Sequence, residues 1–293
     1  MGAITLAACA LIIIVGYVLI TRAWPLISTR TPGTLIFSDA WHPSQGEFGF
    51  WAFIMGSASV TLLAMLIAVP AALFSAIYLA EYSRARAVLK PLLDVLASIP
   101  SVIYGLWGVL FVVPLVRDHV SPWADRFLGD AIPFFANHNP TGYGLLSGSF
   151  VLAIMVFPII VSVTDEVLRS VPQGMREASL ALGATEWETT KLVVVRKALP
   201  GIIAATVLGF SRAFGETLAV LMVAGNVVQV PRSLFDAVYT LPALIANNYG
   251  EMMSIPMYDA ALMAAALILL VVVLVFNIMA RLILIHLSQE SKA

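Results

Sequence analysis

Hydrophobic residues form six long runs along the chain, and the shorter segments between them carry most of the charged residues. The runs cover residues 1–21, 52–80, 95–116, 144–163, 199–225 and 260–280. Each is close to the roughly 20 apolar residues that a helix needs to cross the hydrocarbon core of a membrane. Such lengths favour helices over the short alternating strands of a membrane barrel. The pattern therefore predicts six transmembrane helices.

The composition supports this assignment. The chain has 293 residues, of which 60% are hydrophobic and 11% charged, and its mean hydropathy is +0.96. Soluble proteins have about a quarter of their residues charged, which excludes a soluble enzyme and a free-standing nucleic-acid binder. The formal net charge of −1 creates no field that attracts polyanions. The single cysteine, Cys9, excludes an internal disulfide and a cysteine-based zinc site.

Lysine and arginine residues indicate the orientation of the predicted helices. Most of the 16 basic residues lie on one side if both termini are cytoplasmic, which is the distribution that cytoplasmic loops show. The segments 81–91 and 164–198 then face the cytoplasm. We expect Asp94 to pair with a basic residue such as Lys90. Asp165 and Glu166 are expected to face the cytoplasm at the end of the fourth helix.

Small residues also recur in the second run, where one helix face carries alanines at every fourth position. They are Ala64, Ala68, Ala72 and Ala76. Small side chains allow membrane helices to approach closely. This face is therefore predicted to pack inside the bundle.

The longest inner segment contains signals for two short helices. Ser170 with Gln173, and Thr185 with Glu188, match the capping box. Gly183 lies where a helix end takes a left-handed residue. These helices would expose apolar side chains, which suits a groove on a partner. The apolar residues are Leu180, Ala181, Leu182 and Trp187.

Within this segment, Glu177-Ala178-Ser179 followed by Gly183 resembles the EAA loop of ABC importer permeases. In that family the loop is a coupling helix that docks on the ATPase subunit. The resemblance implies a coupling role for Glu177, Ala178, Ser179, Leu180, Leu182, Gly183 and Trp187. The apolar-x-Leu-Pro run that usually closes the family's loop is absent, and the proline appears only at Pro200. An ordinary amphipathic interfacial loop is the alternative.

Two charged residues, Arg212 and Glu216, interrupt the fifth run. Their spacing of four places them on one face of a continuous helix. A charge inside the membrane costs several kcal/mol unless it is paired or faces water, and is a functional candidate by default. The planar guanidinium fork suits an oxyanion, and a neighbouring glutamate would limit its affinity. The alternatives are a structural ion pair and a relay in a secondary carrier.

Three segments together resemble the permease subunits of bacterial phosphate ABC importers. They are SRAFGETLAV at 211–220, IPSVIYGLWG at 99–108 and GEFG at 46–49. The Trp107-Gly108 pair resembles the PstC-type subunit more than its PstA-type sister. The fifth-helix arginine and glutamate of that family are associated with phosphate passage, a role that the resemblance assigns to Arg212 and Glu216.

Pro100 is expected to break the third helix because proline lacks a backbone donor. The N–H groups at a helix N-terminus favour anions, and Ser101 and Tyr104 would add hydroxyl donors. A packing kink is the alternative. With Arg212, Glu216 and Thr217, these two residues make up the candidate substrate pathway.

The resemblance covers most of residues 46–285 and implies the architecture. It implies an all-α integral membrane protein with six transmembrane helices in a type I ABC importer permease bundle. Residues 1–293 would form one domain in the plasma (inner) membrane of a bacterium. The implied partners are a second, PstA-type permease subunit, two ATPase subunits and an external phosphate-binding protein.

The sequence contains no Gly-x-x-x-x-Gly-Lys-Ser/Thr phosphate loop, so we expect a transport subunit and not an enzyme. ATP and Mg²⁺ would be used by the partner ATPase, with no cofactor held by this chain. The scattered histidines do not predict a metal site. Two alternatives stay open, namely a permease for another oxyanion such as sulfate or molybdate, and a secondary anion carrier using Arg212 and Glu216.

Overall fold

The computed structural model describes residues 2–129, 132–137, 139–251, 254–255 and 257–290. Side chains are described for these residues except 2–9, 32, 128, 280 and 283–290. The first helices are α1 (Gly2–Thr29), α2 (Pro32–Phe37), α3 (Trp51–Ile77), α4 (Arg86–Ser98), α5 (Ser101–Trp107), α6 (Val113–Leu115) and α7 (Ser121–Ala124). They are followed by α8 (Leu145–Arg169), α9 (Gln173–Ala181), α10 (Glu186–Thr189), α11 (Val195–Phe214), α12 (Leu218–Val223), α13 (Leu241–Asn248) and α14 (Tyr258–Glu290).

Shorter elements connect these helices. Wide helical turns of the π type occupy Tyr78–Tyr82, Gly108–Val112, Val116–Val120, Asp125–Gly129 and Thr190–Val194. Single 3₁₀ turns lie at Pro43–Gln45 and Pro133–Phe135. The strands β1 (Trp41–His42) and β2 (Glu47–Phe48) pair antiparallel, with Trp41 opposite Phe48.

Six helical stretches of the described chain are long and apolar enough to cross a membrane, which confirms the predicted number. They are Ala10–Thr29, Trp51–Tyr82, Ser101–Phe127, Leu145–Arg169, Glu186–Phe214 and Tyr258–Met279. The third begins later than predicted because the chain breaks at Pro100, where no backbone N–H is available. The helices α8 and α11 also extend into the predicted inner loop 164–198, so the segment between them is shorter.

The centre of the bundle is the packing of α3 against α8. Ala64, Ala68, Ala72 and Ala76 are all buried on α3, which confirms the predicted packing face. Lipid tails are as apolar as the side chains, so the hydrophobic effect does not drive membrane helices together. Close van der Waals packing between small residues stabilises the helix pair instead. A second buried cluster joins α1, α13 and α14 to the start of α3.

The segment that leads into α13 folds back onto α3. Ser57 Oγ accepts the backbone N–H of Leu241 at 2.8 Å and donates to the Phe53 carbonyl at 2.9 Å. Beside it, a Cβ on Gly56 would lie 2.6 Å from the carbonyl oxygen of Tyr239. The glycine therefore permits backbone contact between α3 and the segment that leads into α13.

Replacing Gly56 with alanine is expected to destabilise the fold. The new methyl group meets a backbone oxygen, which cannot rotate away, so we expect a loss of about 1–3 kcal/mol in the free energy of unfolding. Gly33→Ala is the matched control because a Cβ there meets nothing within 4 Å. Thermal unfolding of the detergent-solubilised protein measures both. Equal melting temperatures for the two variants would contradict the close contact.

Candidate functional site

Arg212 lies in the last turn of α11, which ends two residues later at Phe214. Gly215, Glu216 and Thr217 then interrupt the helix before α12 begins at Leu218. The predicted continuous helix to residue 225 is therefore wrong, and so is the shared face for Arg212 and Glu216. Among the described ion pairs, none joins these two side chains within 4.0 Å.

The carboxylate of Glu216 has a different partner, which explains the break. Its Oε1 accepts the backbone N–H of Ala219 at 3.3 Å, in the first turn of α12. Carboxylates are favourable there because the first N–H groups of a helix have no partner within it. Thr217 Oγ1 turns back to the Gly215 carbonyl at 3.3 Å. Glycine, with its low helix propensity, and a carboxylate that caps the next helix together favour two helices over one.

The structure brings Tyr104 close to the helix that follows Arg212 along the chain. Tyr104 is buried on α5, which packs against α12. The approach of α5 is close because the next residue is glycine. A Cβ on Gly105 would lie 2.7 Å from Met222 Sδ and 3.1 Å from Ala219 Cα. Arg212 itself is exposed on the surface of the chain, within a membrane-spanning stretch.

The predicted break at Pro100 is confirmed, and it positions the other two candidates. Ser101 is the first residue of α5 and is half-buried. Tyr104 Oη donates to the carbonyl of Leu96 in α4 at 2.8 Å. The tyrosine hydroxyl therefore bridges the break between α4 and α5. Because its proton is already used in this hydrogen bond, Tyr104 is a poorer hydrogen-bond donor to an incoming anion than the sequence suggests.

Of the two short helices predicted in the inner segment, α9 forms as a separate helix. The second prediction is wrong, because α10 is the first turn of the helical stretch Glu186–Phe214 that forms the fifth span. Gly183 is left-handed, with φ +87°. Its N–H bonds the Leu180 carbonyl at 2.9 Å, and the Ala184 N–H bonds the Ser179 carbonyl at 3.3 Å. These are the two bonds of a Schellman motif, which confirms the role predicted for Gly183 in ending a helix.

Of the two predicted capping boxes, one forms. Thr185 Oγ1 accepts the Glu188 N–H at 3.3 Å, and the Glu188 carboxylate accepts the Thr185 N–H at 2.8 Å. The box from Ser170 to Gln173 is wrong, because Pro172 is the residue that precedes α9. Ser170 Oγ instead donates to the Val167 carbonyl at 2.7 Å, at the end of α8.

No residue of α9 is buried, and its far end carries an apolar surface. Leu182 is 90% exposed, and Leu180 and Trp187 are about half exposed. Glu177 and Ala178 are exposed as well. Ser179 faces the chain instead, since its hydroxyl lies 2.9 Å from that of Thr189. Leu180, Leu182 and Trp187, which the sequence predicts to dock on a partner, are called the docking surface below.

The structure also contains charged contacts that the sequence does not predict. Asp165, expected to face the cytoplasm, is fully buried and accepts hydrogen bonds from Arg86, the shortest at 2.7 Å. That hydrogen bond raises the pKa of the Arg86 guanidinium. Lys90 pairs with Glu166 at 2.6 Å and not with Asp94, which accepts a hydrogen bond from Ser162.

A second long-range pair joins Arg176 of α9 to Glu81 at 2.8 Å. The two residues are 95 positions apart, so local spacing carries no signal for the contact. Over the part of the chain that the structure describes, no three His, Cys, Asp or Glu side chains are grouped to hold a metal ion.

Comparison with known proteins defines the class of protein. Residues 68–287 match the family described as binding-protein-dependent transport system inner membrane component. This match covers well over half of the sequence, and the chain belongs to this family. It is therefore a multi-pass membrane subunit of an ABC transporter and not an enzyme.

Relatives with specific names match most of the chain. The phosphate transport system permease protein PstC of Xylella fastidiosa (strain 9a5c) is 37% identical over 88% of this chain and 80% of its own. The probable ABC transporter permease protein YqgH of Bacillus subtilis (strain 168) is 35% identical over 99% and 91%. The probable phosphate transport system permease protein PstC of Methanocaldococcus jannaschii is 36% identical over 84% and 78%.

A solved structure supports the fold. An inward-facing conformation of the MetNI methionine ABC transporter matches with a TM-score of 0.56, covering 81% of this chain and 97% of that one. At 19% identity the likeness shows the fold alone. The predicted type I ABC importer permease bundle is confirmed.

Proposed function

We propose that this chain forms, with a second permease chain, the membrane path for inorganic phosphate in an ATP-driven importer. The observation that carries the proposal is Arg212, a cation in a membrane-spanning stretch that forms no ion pair among the described residues. Intramembrane charges face the bundle interior or a water-filled path. A guanidinium in such a place is suited to an oxyanion. The names of the PstC relatives support phosphate as that anion.

The exposure of Arg212 indicates where the path runs. A guanidinium on the lipid-facing surface of a membrane helix would carry the full cost of a charge in hydrocarbon. A second permease chain of the PstA type, covering this face, removes that cost and closes the path. Ser101, Tyr104, Glu216 and Thr217 lie on the two helix breaks that would border it. Residues 1–293 would act as one permease domain.

The end of the bundle that carries α9, together with both termini, would face the cytoplasm. This orientation places Arg84, Arg86, Lys90, Arg169 and Arg176 on the cytoplasmic side, in agreement with the bias of basic residues. The docking surface, with Glu177, Ala178, Ser179 and Gly183 beside it, would bind one of two ATPase subunits. ATP and Mg²⁺ would be used there, and an external phosphate-binding protein would deliver its anion at the opposite end.

Reconstitution of the purified complex in liposomes tests the proposal. Uptake of radiolabelled phosphate is expected to require ATP and the external binding protein, and excess sulfate or molybdate is expected not to compete. Competition by either anion would overturn the choice of phosphate and keep the permease class. Uptake by this chain alone, without ATP, would instead favour the secondary anion carrier.

A further inference from the structure

One side chain, Arg176, connects three segments of the chain at the α9 end. Its Nη2 donates to Glu81 Oε1 at 2.8 Å and to the Leu168 carbonyl at 2.9 Å. Its Nη1 donates to the Val171 carbonyl at 3.1 Å. Glu81 lies in the π turn that ends the second span, and Leu168 lies in the last turn of α8. The arginine therefore joins α9 to the ends of two membrane-spanning helices.

This attachment is the strongest one that α9 has. The helix buries none of its residues, so apolar packing contributes little to its position. Within the described chain, the only other side-chain hydrogen bond from α9 to another element is that of Ser179 with Thr189. A hydrogen-bonded pair of a guanidinium and a carboxylate is roughly twice as strong as a neutral hydrogen bond. The side chains of Arg176 and Glu81 are only 21% and 13% exposed, which limits screening by solvent.

The end of α8 is itself connected to α4. Arg86 binds the fully buried Asp165 through three hydrogen bonds of 2.7–3.2 Å. Lys90, one turn further along α4, pairs with Glu166 at 2.6 Å. Removing one partner of a buried pair is costly because the other charge is left without compensation. The ends of α4 and α8 are thus held together, and Arg176 adds α9 to them.

We propose that Arg176 is a positioning residue that makes α9 move as one body with the ends of the second span and α8. Displacement of the docking surface is then passed to the two helices at the centre of the bundle. Without Arg176, α9 moves on its own while the spans stay in place. The inference rests on the proposed function in one respect, namely that an ATPase subunit binds α9.

The direct test is Arg176→Gln, compared with Arg169→Gln. Arg169 is an exposed arginine that forms no ion pair with any described residue. Its replacement therefore removes the same charge as Arg176→Gln without breaking an ion pair. For Arg176→Gln we expect normal assembly and basal ATP hydrolysis, with phosphate uptake per ATP hydrolysed lowered about tenfold. Arg176→Lys, which keeps the charge beside Glu81, is expected to recover part of this ratio. An unchanged ratio, or a fall that only follows the amount of assembled complex, would overturn the proposal.

A double-mutant cycle with Glu81→Gln separates the pair from independent effects. If the pair is the connection, Glu81→Gln lowers the ratio in the native chain and has little further effect when Arg176 is already glutamine. Equal effects of Glu81→Gln in both backgrounds would contradict the connection.

A measurement without substrate keeps this test apart from that of the proposed function. Spin labels replace Tyr78 and Gln173 in a chain whose single cysteine, Cys9, is changed to serine. Trapping of nucleotide in the ATPase is expected to leave the distance between the labels unchanged when Arg176 is present and to shift it in Arg176→Gln. The same distance in both chains would overturn the proposal. Failure of the native complex to take up phosphate would contradict phosphate as the substrate and would leave the positioning role of Arg176 unaffected.

Discussion

Replacing Arg212 with glutamine is expected to lower phosphate uptake by at least about a hundredfold, the equivalent of roughly 2.7 kcal/mol in the barrier to transport. Glutamine keeps much of the side-chain volume, but it lacks the positive charge and the bidentate hydrogen-bond donor with which a guanidinium binds an oxyanion. The complex is expected to assemble normally. Since Arg212 pairs with no carboxylate in the described chain, its removal leaves no buried charge uncompensated.

Uptake into liposomes, divided by the amount of assembled complex, is the measurement. Arg196→Gln provides the control because Arg196 is an exposed arginine on the same helix, four turns nearer the α9 end. Uptake by Arg196→Gln is expected to match that of the native complex. Normal uptake by Arg212→Gln would remove Arg212 from the path. A complex that no longer assembles would instead show that Arg212 holds the two permease chains together.

Replacing Leu182 with aspartate is expected to release the ATPase subunit. Leu182 is 90% exposed, more than any other large apolar side chain in the described chain. It lies between Leu180 and Trp187 on the docking surface. Burying a leucine side chain in an interface contributes about 2 kcal/mol to binding, and a buried aspartate without a partner adds a desolvation cost. We therefore expect binding to weaken by more than about thirtyfold.

Copurification of the ATPase with the affinity-tagged permease measures this effect. The second permease subunit is expected to remain bound, which shows that the chain is folded. Val227→Asp serves as the control, since Val227 is an exposed apolar residue beyond α12, away from the docking surface. If the ATPase copurifies equally with Leu182→Asp, the docking surface lies elsewhere.

Local chemistry explains which features could be predicted from the sequence. The six spans follow from the length of the apolar runs, and the break at Pro100 follows from its missing donor. The helix end at Gly183 and the capping box at Thr185 could also be predicted, because each depends on residues within one turn. The prediction that Arg212 and Glu216 share one helix face is wrong for a local reason. The spacing rule assumes an unbroken helix, whereas Gly215 and the capping carboxylate of Glu216 divide it.

The charged pairs at the α9 end could not be predicted in the same way. Arg86 and Asp165 are 79 positions apart, and Arg176 and Glu81 are 95 apart. Tertiary packing, such as that of α4 against α8, brings these residues together. A single sequence does not specify which charges then meet. The expected pair of Lys90 with Asp94 satisfied helical spacing, but Glu166 on a neighbouring helix lies closer to the lysine. Tertiary contacts override local rules at this end of the bundle.

The second span is much longer than a membrane requires. Its 32 residues, Trp51–Tyr82, extend over about 48 Å at the rise of an α-helix, whereas the hydrocarbon core is about 30 Å thick. The helix must tilt or project beyond the lipid, and bilayer thickness influences which of the two occurs. Glu81 lies at one end of this span and is hydrogen-bonded to Arg176, so a thicker bilayer would draw α9 toward the membrane surface. If the ATPase binds α9 as proposed, lipid composition would be one of the variables that determine how far the ATPase stands from the membrane.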